Sequence, residues 1–249
     1  MPAHRTVLID AFPDSAFRHR DRAAVACIDV MLATTTLVTA AGQGRRTLVV
    51  SSPEELGAVT AGLDGAIVAG HLEGVAPGVF ASPDGPCALL RQEGSDRPLV
   101  LASAPGTELV VNAAGAGPVF LACFRNLSAT ASALAVHSRV ALLAAGCREE
   151  VSCEDQMAAA WIAGRLVDRG FAPEDRHTAD IIRRWSGISP ALAGWGNSAA
   201  QLRREGRGDE VEFVLAHVDD VDRPCRCEGN EVRLGDVAEP VTQRSGTRR

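Results

Sequence analysis

The sequence predicts an α/β fold with three layers, α/β/α, around a mixed and largely parallel β-sheet. Short apolar runs alternate with amphipathic or alanine-rich segments along most of the chain. Short apolar runs bounded by turn residues are typical of buried strands, and strands that alternate with helices favour a layered α/β arrangement. The predicted strands are residues 7–9, 25–31, 47–50, 66–69, 99–102, 119–123 and 140–145.

Helix-start signals support the same arrangement. Ser52 can cap a helix whose first residue is Pro53, and Glu55 stands where a capping box needs a carboxylate. A second helix is predicted over residues 152–169, because Gly170 is a typical residue beyond a helix end. Further helices are predicted at 173–185, 198–205 and 209–217.

The rest of the sequence indicates a long loop, a pair of strands near the C-terminus and a single domain. Residues 70–86 are rich in glycine and proline, which predicts a long loop over one end of the sheet. Residues 223–234 can return as a pair of strands. Since the 249 residues contain no linker, we expect one domain over 1–236 and a disordered polar tail over 237–249.

Charge and hydropathy exclude two classes of partner. The formal net charge is −6, and the 25 basic residues, all arginine, form no basic run. We therefore expect no nucleic-acid partner, because binding to the phosphate backbone needs clustered positive charge. We also expect no membrane partner and a cytoplasmic location, because the chain has neither a signal peptide nor about 20 continuous apolar residues. A small anionic ligand remains compatible, since helix N-termini bind anions through N–H groups.

The cysteines predict reduced thiols in the core. There are 7 of them, and most lie in apolar runs. Cys225 and Cys227 form a C-x-C pair that could bind a soft metal. The sequence offers no second pair or nearby histidine to complete a zinc site.

Asp29 is the first candidate for chemistry, because it interrupts the apolar run at 25–31. A buried carboxylate is costly unless it is paired or bound to a metal. At the end of an α/β strand such a residue often faces the ligand crevice, so Asp29 is a candidate magnesium ligand. The alternative is a strand-end residue that caps the next helix.

Three strand-to-helix turns could bind an anion through hydroxyl and backbone N–H groups. The first carries three successive threonines, the second contains a glycine that allows close backbone approach, and the third contains a polar pair. Each such turn is common, and simple helix capping is the alternative in every case. The candidate anion-binding residues are Thr34, Thr35, Ser103, Gly106, Thr107 and Asn126.

The segment 145–155 combines a strand end, a charged loop and a helix start. Glu154 and Asp155 could complete an oxygen-rich magnesium site with Asp29. Arg148 could pair with an anionic substrate. Alternatively, the two carboxylates only complement the positive end of the helix.

Five segments, taken in order, resemble the 2-phosphosulfolactate phosphatase (ComB-like) family. The first reads Ile-Asp-Val-Met-Leu-Ala-Thr-Thr-Thr at 28–36, and the second Ser-Ala-Pro-Gly-Thr at 103–107. The others are 126–129, 145–155 and 209–215, so the resemblance covers nearly the whole chain.

The resemblance implies magnesium-dependent hydrolysis of a small anionic phosphoester, 2-phospho-3-sulfolactate, to sulfolactate and phosphate. It implies that Asp29, Glu154 and Asp155 hold Mg²⁺ directly or through water, and that Asp29 and Arg148 are the catalytic residues. The three turns would then cradle the anion. The fold and its apolar helices are also compatible with a homodimer.

The chain departs from the family pattern at several anion-binding positions. Leu32 stands where the family has an arginine, and Pro105 where it has an asparagine. Leucine cannot replace the bidentate arginine clamp. Two alternatives therefore stand beside the family activity: a phosphatase for a less anionic phosphoester, and a binding protein that kept the fold without turnover.

Overall fold

A computed structural model describes residues 5–92, 94, 96–115, 117–147 and 150–236 of the chain. The predicted tail at 237–249 lies outside these residues. Within them, ten strands form one sheet: β1 Thr6–Ala11, β2 Ala24–Ile28, β3 Thr47–Val49, β4 Ile67–His71, β5 Leu99–Ser103, β6 Val119–Ala122, β7 Arg139–Ala144, β8 Ala172–Pro173, β9 Cys225–Glu228 and β10 Glu231–Leu234.

The α-helices of the described residues include the predicted ones, within a few residues at their ends, and further short helices that were not predicted from the sequence. They are α1 Ser15–His19, α2 Ala33–Gly42, α3 Pro53–Thr60, α4 Pro86–Leu90, α5 Gly106–Ala113, α6 Leu127–Leu134, α7 Cys153–Val167, α8 Arg176–Trp185, α9 Asn197–Arg204 and α10 Gly208–Ala216. None of them is both long and apolar enough to cross a membrane.

The sheet consists of two parallel blocks joined by the antiparallel pair β9 and β10. The strand order is β4-β5-β3-β10-β9-β6-β2-β7-β1-β8. Pairing is parallel within β4-β5-β3 and within β6-β2-β7-β1-β8, and antiparallel at the three junctions made by β9 and β10. The mixed, largely parallel sheet is therefore confirmed, and the terminal strand pair lies at its centre.

Helices cover both faces of the sheet, which confirms the three-layer architecture. In β2, Ala26 and Ile28 face a core shared with α6, α7 and α8, whereas Val25 and Cys27 face a core shared with α2 and α5. This strand is buried on both faces, so its sequence is a continuous apolar run rather than an alternating one.

Helix α5 brings together residues that follow strands of opposite blocks. Because three antiparallel junctions separate them, β2 and β5 run in opposite directions. Helix α5 follows β5 and packs against both β5 and β2, and its first residue, Gly106, lies against Asp29 Oδ2. The residues that follow these two strands meet at one site.

Two local predictions needed correction. The helix expected from Pro173 begins at Arg176, because residues 172–173 pair with β1 and Asp175 caps the helix through Thr178 N at 2.7 Å. Glu55 does not close a capping box on Ser52, since its carboxylate accepts from Ser51 N at 2.8 Å. Ser52 does cap the helix, accepting from Glu55 N at 3.2 Å.

Glu210 of α10 holds the end of the long loop at 70–86. Its carboxylate is 2% exposed and accepts hydrogen bonds from Cys87 N at 2.8 Å and Ala88 N at 3.0 Å. These are N–H groups of the first turn of α4, which would otherwise lack an acceptor. Glu210 thereby fixes the polypeptide that carries Asp84.

We predict that Glu210→Ala lowers the free energy of unfolding by about 2–4 kcal/mol, because two N–H groups lose their acceptor. Urea unfolding followed by tryptophan fluorescence measures this loss. The matched control is Glu212→Ala on the same helix, whose side chain is 72% exposed. It should change stability by no more than about 0.5 kcal/mol. Equal effects of the two variants would contradict the anchoring role.

Candidate active site

Several of the predicted site residues lie where β2, β5 and β7 end. Asp29 follows β2, Ser103 ends β5, and Gly146 follows β7. Glu154 and Asp155 lie in the first turn of α7, which begins close to these strand ends. Side chains that are far apart in the sequence are therefore brought close together.

Asp29 is held in place by the turn that follows it. Its side chain is 6% exposed, and Oδ1 accepts from Ala33 N at 3.3 Å. Thr34 Oγ1 donates to Asp29 O at 2.6 Å and accepts from Asp29 N at 2.9 Å. Oδ2 faces Gly106, where a Cβ atom would overlap it. A glycine is therefore required at the start of α5.

Asp155 links two of the strand ends. Its Oδ1 accepts from Val30 N at 2.8 Å, and its Oδ2 accepts from Gly146 N at 3.2 Å. The side chain is 2% exposed. Both carboxylate oxygens thus bind backbone, which fixes the turn after β2 against the loop after β7.

Glu154 lies beside Asp155 and borders a cleft of about 480 Å³. The residue is 1% exposed, and Cys153 Sγ lies 3.3 Å from its Oε2. Gly196 packs closely against both residues, so a Cβ there would contact Cys153 Sγ and Glu154 Oε2. The carboxylate is held at the cleft rather than in bulk solvent.

Burial and mutual repulsion shape the electrostatics of the site. Burial raises the pKa of Asp29 from 3.8 to about 7, the Ala33 N–H opposes this, and the charges of Asp84 and Glu154 add to it. The pKa of Asp155 is raised well above its ordinary value, first by burial and then by the charges of Asp29 and Glu154. The four carboxyl groups therefore form one interacting cluster, which we call the carboxylate cluster.

Asp84 and Arg207 belong to this site and were missed from the sequence. Asp84 Oδ2 accepts from Ser103 Oγ at 2.5 Å, and Asp84 Oδ1 accepts from Arg207 Nη2 at 2.7 Å. A weak signal was available for Asp84, since it stands between Pro83 and Gly85 in the loop after β4. Arg207 carried no such signal, because it follows α9 and lies 123 residues from its partner.

Several predicted anion-binding side chains are occupied by backbone groups. Thr35 Oγ1 donates to Val30 O at 2.8 Å, and Thr107 Oγ1 accepts from Ser103 N at 3.0 Å. Asn126 Oδ1 accepts from Cys123 N at 3.0 Å, and Asn126 Nδ2 donates to Leu121 O, so both polar atoms of this side chain bind backbone groups. Like Thr34, these side chains fix the turns, and their contact with a substrate stays a prediction.

The departures from the family pattern have visible consequences. Leu32 is 4% exposed and packs in the core cluster of α6 and α7, so this position provides no cation. Arg148, the predicted catalytic arginine, lies outside the described residues. Cys225 and Cys227 are buried free thiols, as expected. Among the described residues, no three Asp, Glu, His or Cys side chains are arranged to hold a metal ion by themselves.

Comparison with known proteins identifies the family. The family model described as 2-phosphosulpholactate phosphatase matches residues 11–218. The chain belongs to the 2-phosphosulpholactate phosphatase family. A relative from Symbiobacterium thermophilum, named probable 2-phosphosulfolactate phosphatase, is 30% identical over 194 residues, which are 75% of this chain and 83% of the relative.

Membership in the 2-phosphosulpholactate phosphatase family confirms the resemblance and the enzyme class predicted from the sequence. Phosphatases of this kind are phosphoric monoester hydrolases. The matched residues include Asp29, Asp84, Glu154 and Arg207. The carboxylate cluster therefore lies inside the part of the chain that defines the family.

We predict that Asp29→Asn stabilises the metal-free phosphatase at neutral pH. An acid whose pKa rises on folding binds more protons in the folded state, so its contribution to stability is lost as pH rises. For Asp29 this loss spans pH 4 to 7, and it amounts to at most about 1.4 kcal/mol per pH unit.

Thermal unfolding of wild type and Asp29→Asn in EDTA, from pH 5 to 8, measures this difference. The variant should gain stability relative to wild type as pH rises to 7 and then level off. A difference that does not depend on pH would show that folding does not raise the pKa of Asp29.

Proposed function

We propose that the chain is a magnesium-dependent phosphatase that hydrolyses 2-phospho-3-sulfolactate to sulfolactate and phosphate. The carrying observation is the carboxylate cluster, in which Asp29 and Glu154 are almost completely buried and repel one another. Such an arrangement is costly without a compensating cation. The name of the relative from Symbiobacterium thermophilum supports the choice of substrate.

The residues present fit magnesium. Mg²⁺ keeps several waters and is usually bound by one or two carboxylates together with substrate phosphate. Asp29 and Glu154 would supply these two carboxylates. Ala33 N donates to Asp29 Oδ1, so Oδ2 is the oxygen of Asp29 that would bind the ion. Asp155 would act through water or through its backbone contacts, because both of its oxygens already accept hydrogen bonds. Three direct protein ligands are therefore not required.

A bound Mg²⁺ would supply Lewis-acid polarisation of the phosphoryl group. The chain itself contributes orientation. The start of α5 lies against Asp29 Oδ2 at Gly106, and the positive end of a helix dipole would favour an anionic phosphoryl group there. Gly106 permits close approach, and Ser103 provides a hydroxyl held by Asp84. Thr34, Thr35, Thr107 and Asn126 keep the three turns in register.

A second candidate is a phosphatase for a less anionic ester. The observation that favours it is Leu32, which is buried in the core where a cation would otherwise serve the substrate. This candidate predicts equal or better turnover of phosphoesters that lack a sulfonate. Its substrate range is what distinguishes it from the leading proposal.

Phosphate release from 2-phosphosulfolactate and from phosphoesters without a sulfonate tests the proposal. We expect release from 2-phosphosulfolactate with Mg²⁺ and none in EDTA. Asp29→Asn should lower kcat/KM by more than about a hundredfold, because it removes a direct metal ligand. Asp155→Asn should lower kcat/KM by about 10–100-fold, which is typical when a residue that only supports the metal ligands is changed. The control is Asp64→Asn, which changes an exposed aspartate away from the site.

Turnover that survives EDTA, or that persists in Asp29→Asn, would contradict the metal proposal. Release confined to esters without a sulfonate would favour the second candidate. Absence of release from every ester, with Mg²⁺ present, would favour a binding protein that kept the fold.

A further inference from the structure

A second cleft, which we call the Arg207 cleft, opens beside the carboxylate cluster. Its volume is about 430 Å³, and its lining includes Gly70, His71, Phe80, Asp84 and Arg207. Asp84 belongs both to this lining and to the carboxylate cluster, because its Oδ2 accepts from Ser103 Oγ at the start of the turn in which Gly106 packs against Asp29 Oδ2. The cleft therefore adjoins the place where the phosphoryl group would lie.

Arg207 is fixed at the cleft and keeps donors available. Its backbone N donates to Leu202 O at 2.8 Å, and its Nη2 donates to Asp84 Oδ1 at 2.7 Å. A guanidinium has five N–H donors in a rigid fork, so one bond to Asp84 leaves others for a ligand. The side chain is 23% exposed, which allows contact with a molecule in the cleft.

Arg207 brings a positive charge to a site that is rich in carboxyl groups. Among the described residues, Arg207 is the cation that forms an ion pair with a member of the carboxylate cluster. Asp84 holds the guanidinium while it also accepts from Ser103 Oγ at 2.5 Å. This chain of contacts connects the cation to the turn that begins α5. An anionic group that enters the cleft would thus meet a preoriented arginine.

The chemistry of the substrate indicates which group this is. In 2-phosphosulfolactate the phosphate and the carboxylate are attached to one carbon, and the sulfonate is attached to the next. With the phosphoryl group at Asp29, the sulfonate extends furthest from the reacting atoms. We propose that Arg207, positioned by Asp84, binds the sulfonate and determines specificity for it. This inference rests on the proposed function.

Three substrates separate the groups that Arg207 could recognise. These are 2-phosphosulfolactate, 2-phospholactate, which has the carboxylate alone, and the phosphate ester of isethionate, which has the sulfonate alone. We expect Arg207→Gln to raise KM for both sulfonated esters about tenfold to a hundredfold, because a charged hydrogen-bond partner is lost. KM for 2-phospholactate should stay within about twofold. Arg207→Lys should recover part of the loss, since it keeps the charge but not the fork.

The matched control is Arg91→Gln. Arg91 forms an exposed ion pair with Asp209, and Asp209 is two residues from Arg207 in the sequence. Exposed ion pairs contribute little to stability. Its kinetic constants should match those of wild type on all three esters. An equal rise in KM on 2-phospholactate would overturn the proposal in favour of carboxylate binding or a structural role. Unchanged KM on the sulfonated esters would overturn it outright.

Binding of the product separates this inference from the proposed function. Calorimetric titration with sulfolactate needs no turnover, and we expect binding to wild type and to Arg91→Gln but not to Arg207→Gln. If sulfolactate binds in this pattern while 2-phosphosulfolactate is not hydrolysed, the sulfonate site stands and the proposed activity fails. If hydrolysis proceeds and Arg207→Gln binds sulfolactate as wild type does, the activity stands and the sulfonate site fails.

Discussion

Repulsion among buried carboxyl groups is the constraint on which the rest of the structure depends. Asp29, Glu154 and Asp155 are each at most 6% exposed, and Asp84 lies within electrostatic reach of Asp29. Burying like charges together is unfavourable unless hydrogen bonds, a partner cation or protonation compensates. Backbone hydrogen bonds and the ion pair between Asp84 and Arg207 supply part of this compensation, and burial, together with the charges of Asp84 and Glu154, raises the pKa of Asp29 to about 7.

The fold supplies this compensation mainly from the backbone. N–H groups at the ends of β2 and β7 bind Asp155, and the first turn of α2 binds Asp29. These donors converge because β2 and β7 are adjacent parallel strands that end at the same edge of the sheet, and Gly106 of the helix after β5 packs against Asp29 there. Glu210 and Arg207 hold the loop of Asp84 in the same place. The site is therefore a product of the whole sheet topology.

The sequence predicted what is local and missed what depends on distant contacts. Apolar runs identified the buried strands. Asp29 was recognisable because it interrupts such a run, and Glu154 and Asp155 because two adjacent carboxylates follow a strand end and a charged loop. Arg207 could not be found, because its role depends on a contact with Asp84 across 123 residues. The sequence also could not show that the hydroxyls of Thr34 and Thr35 donate to backbone carbonyls, which buried hydroxyls near a turn commonly do, and their contact with a ligand stays a prediction.

The most direct test of the central claim is a count of the protons released when Mg²⁺ binds. Calorimetric titration at pH 7 in two buffers of different ionisation enthalpy gives this number. We predict release of on the order of half to one proton per ion, because a pKa of about 7 leaves Asp29 partly protonated at this pH and the carboxyl must ionise to bind a metal. Magnesium binding without proton release, or equal binding to Asp29→Asn, would contradict it.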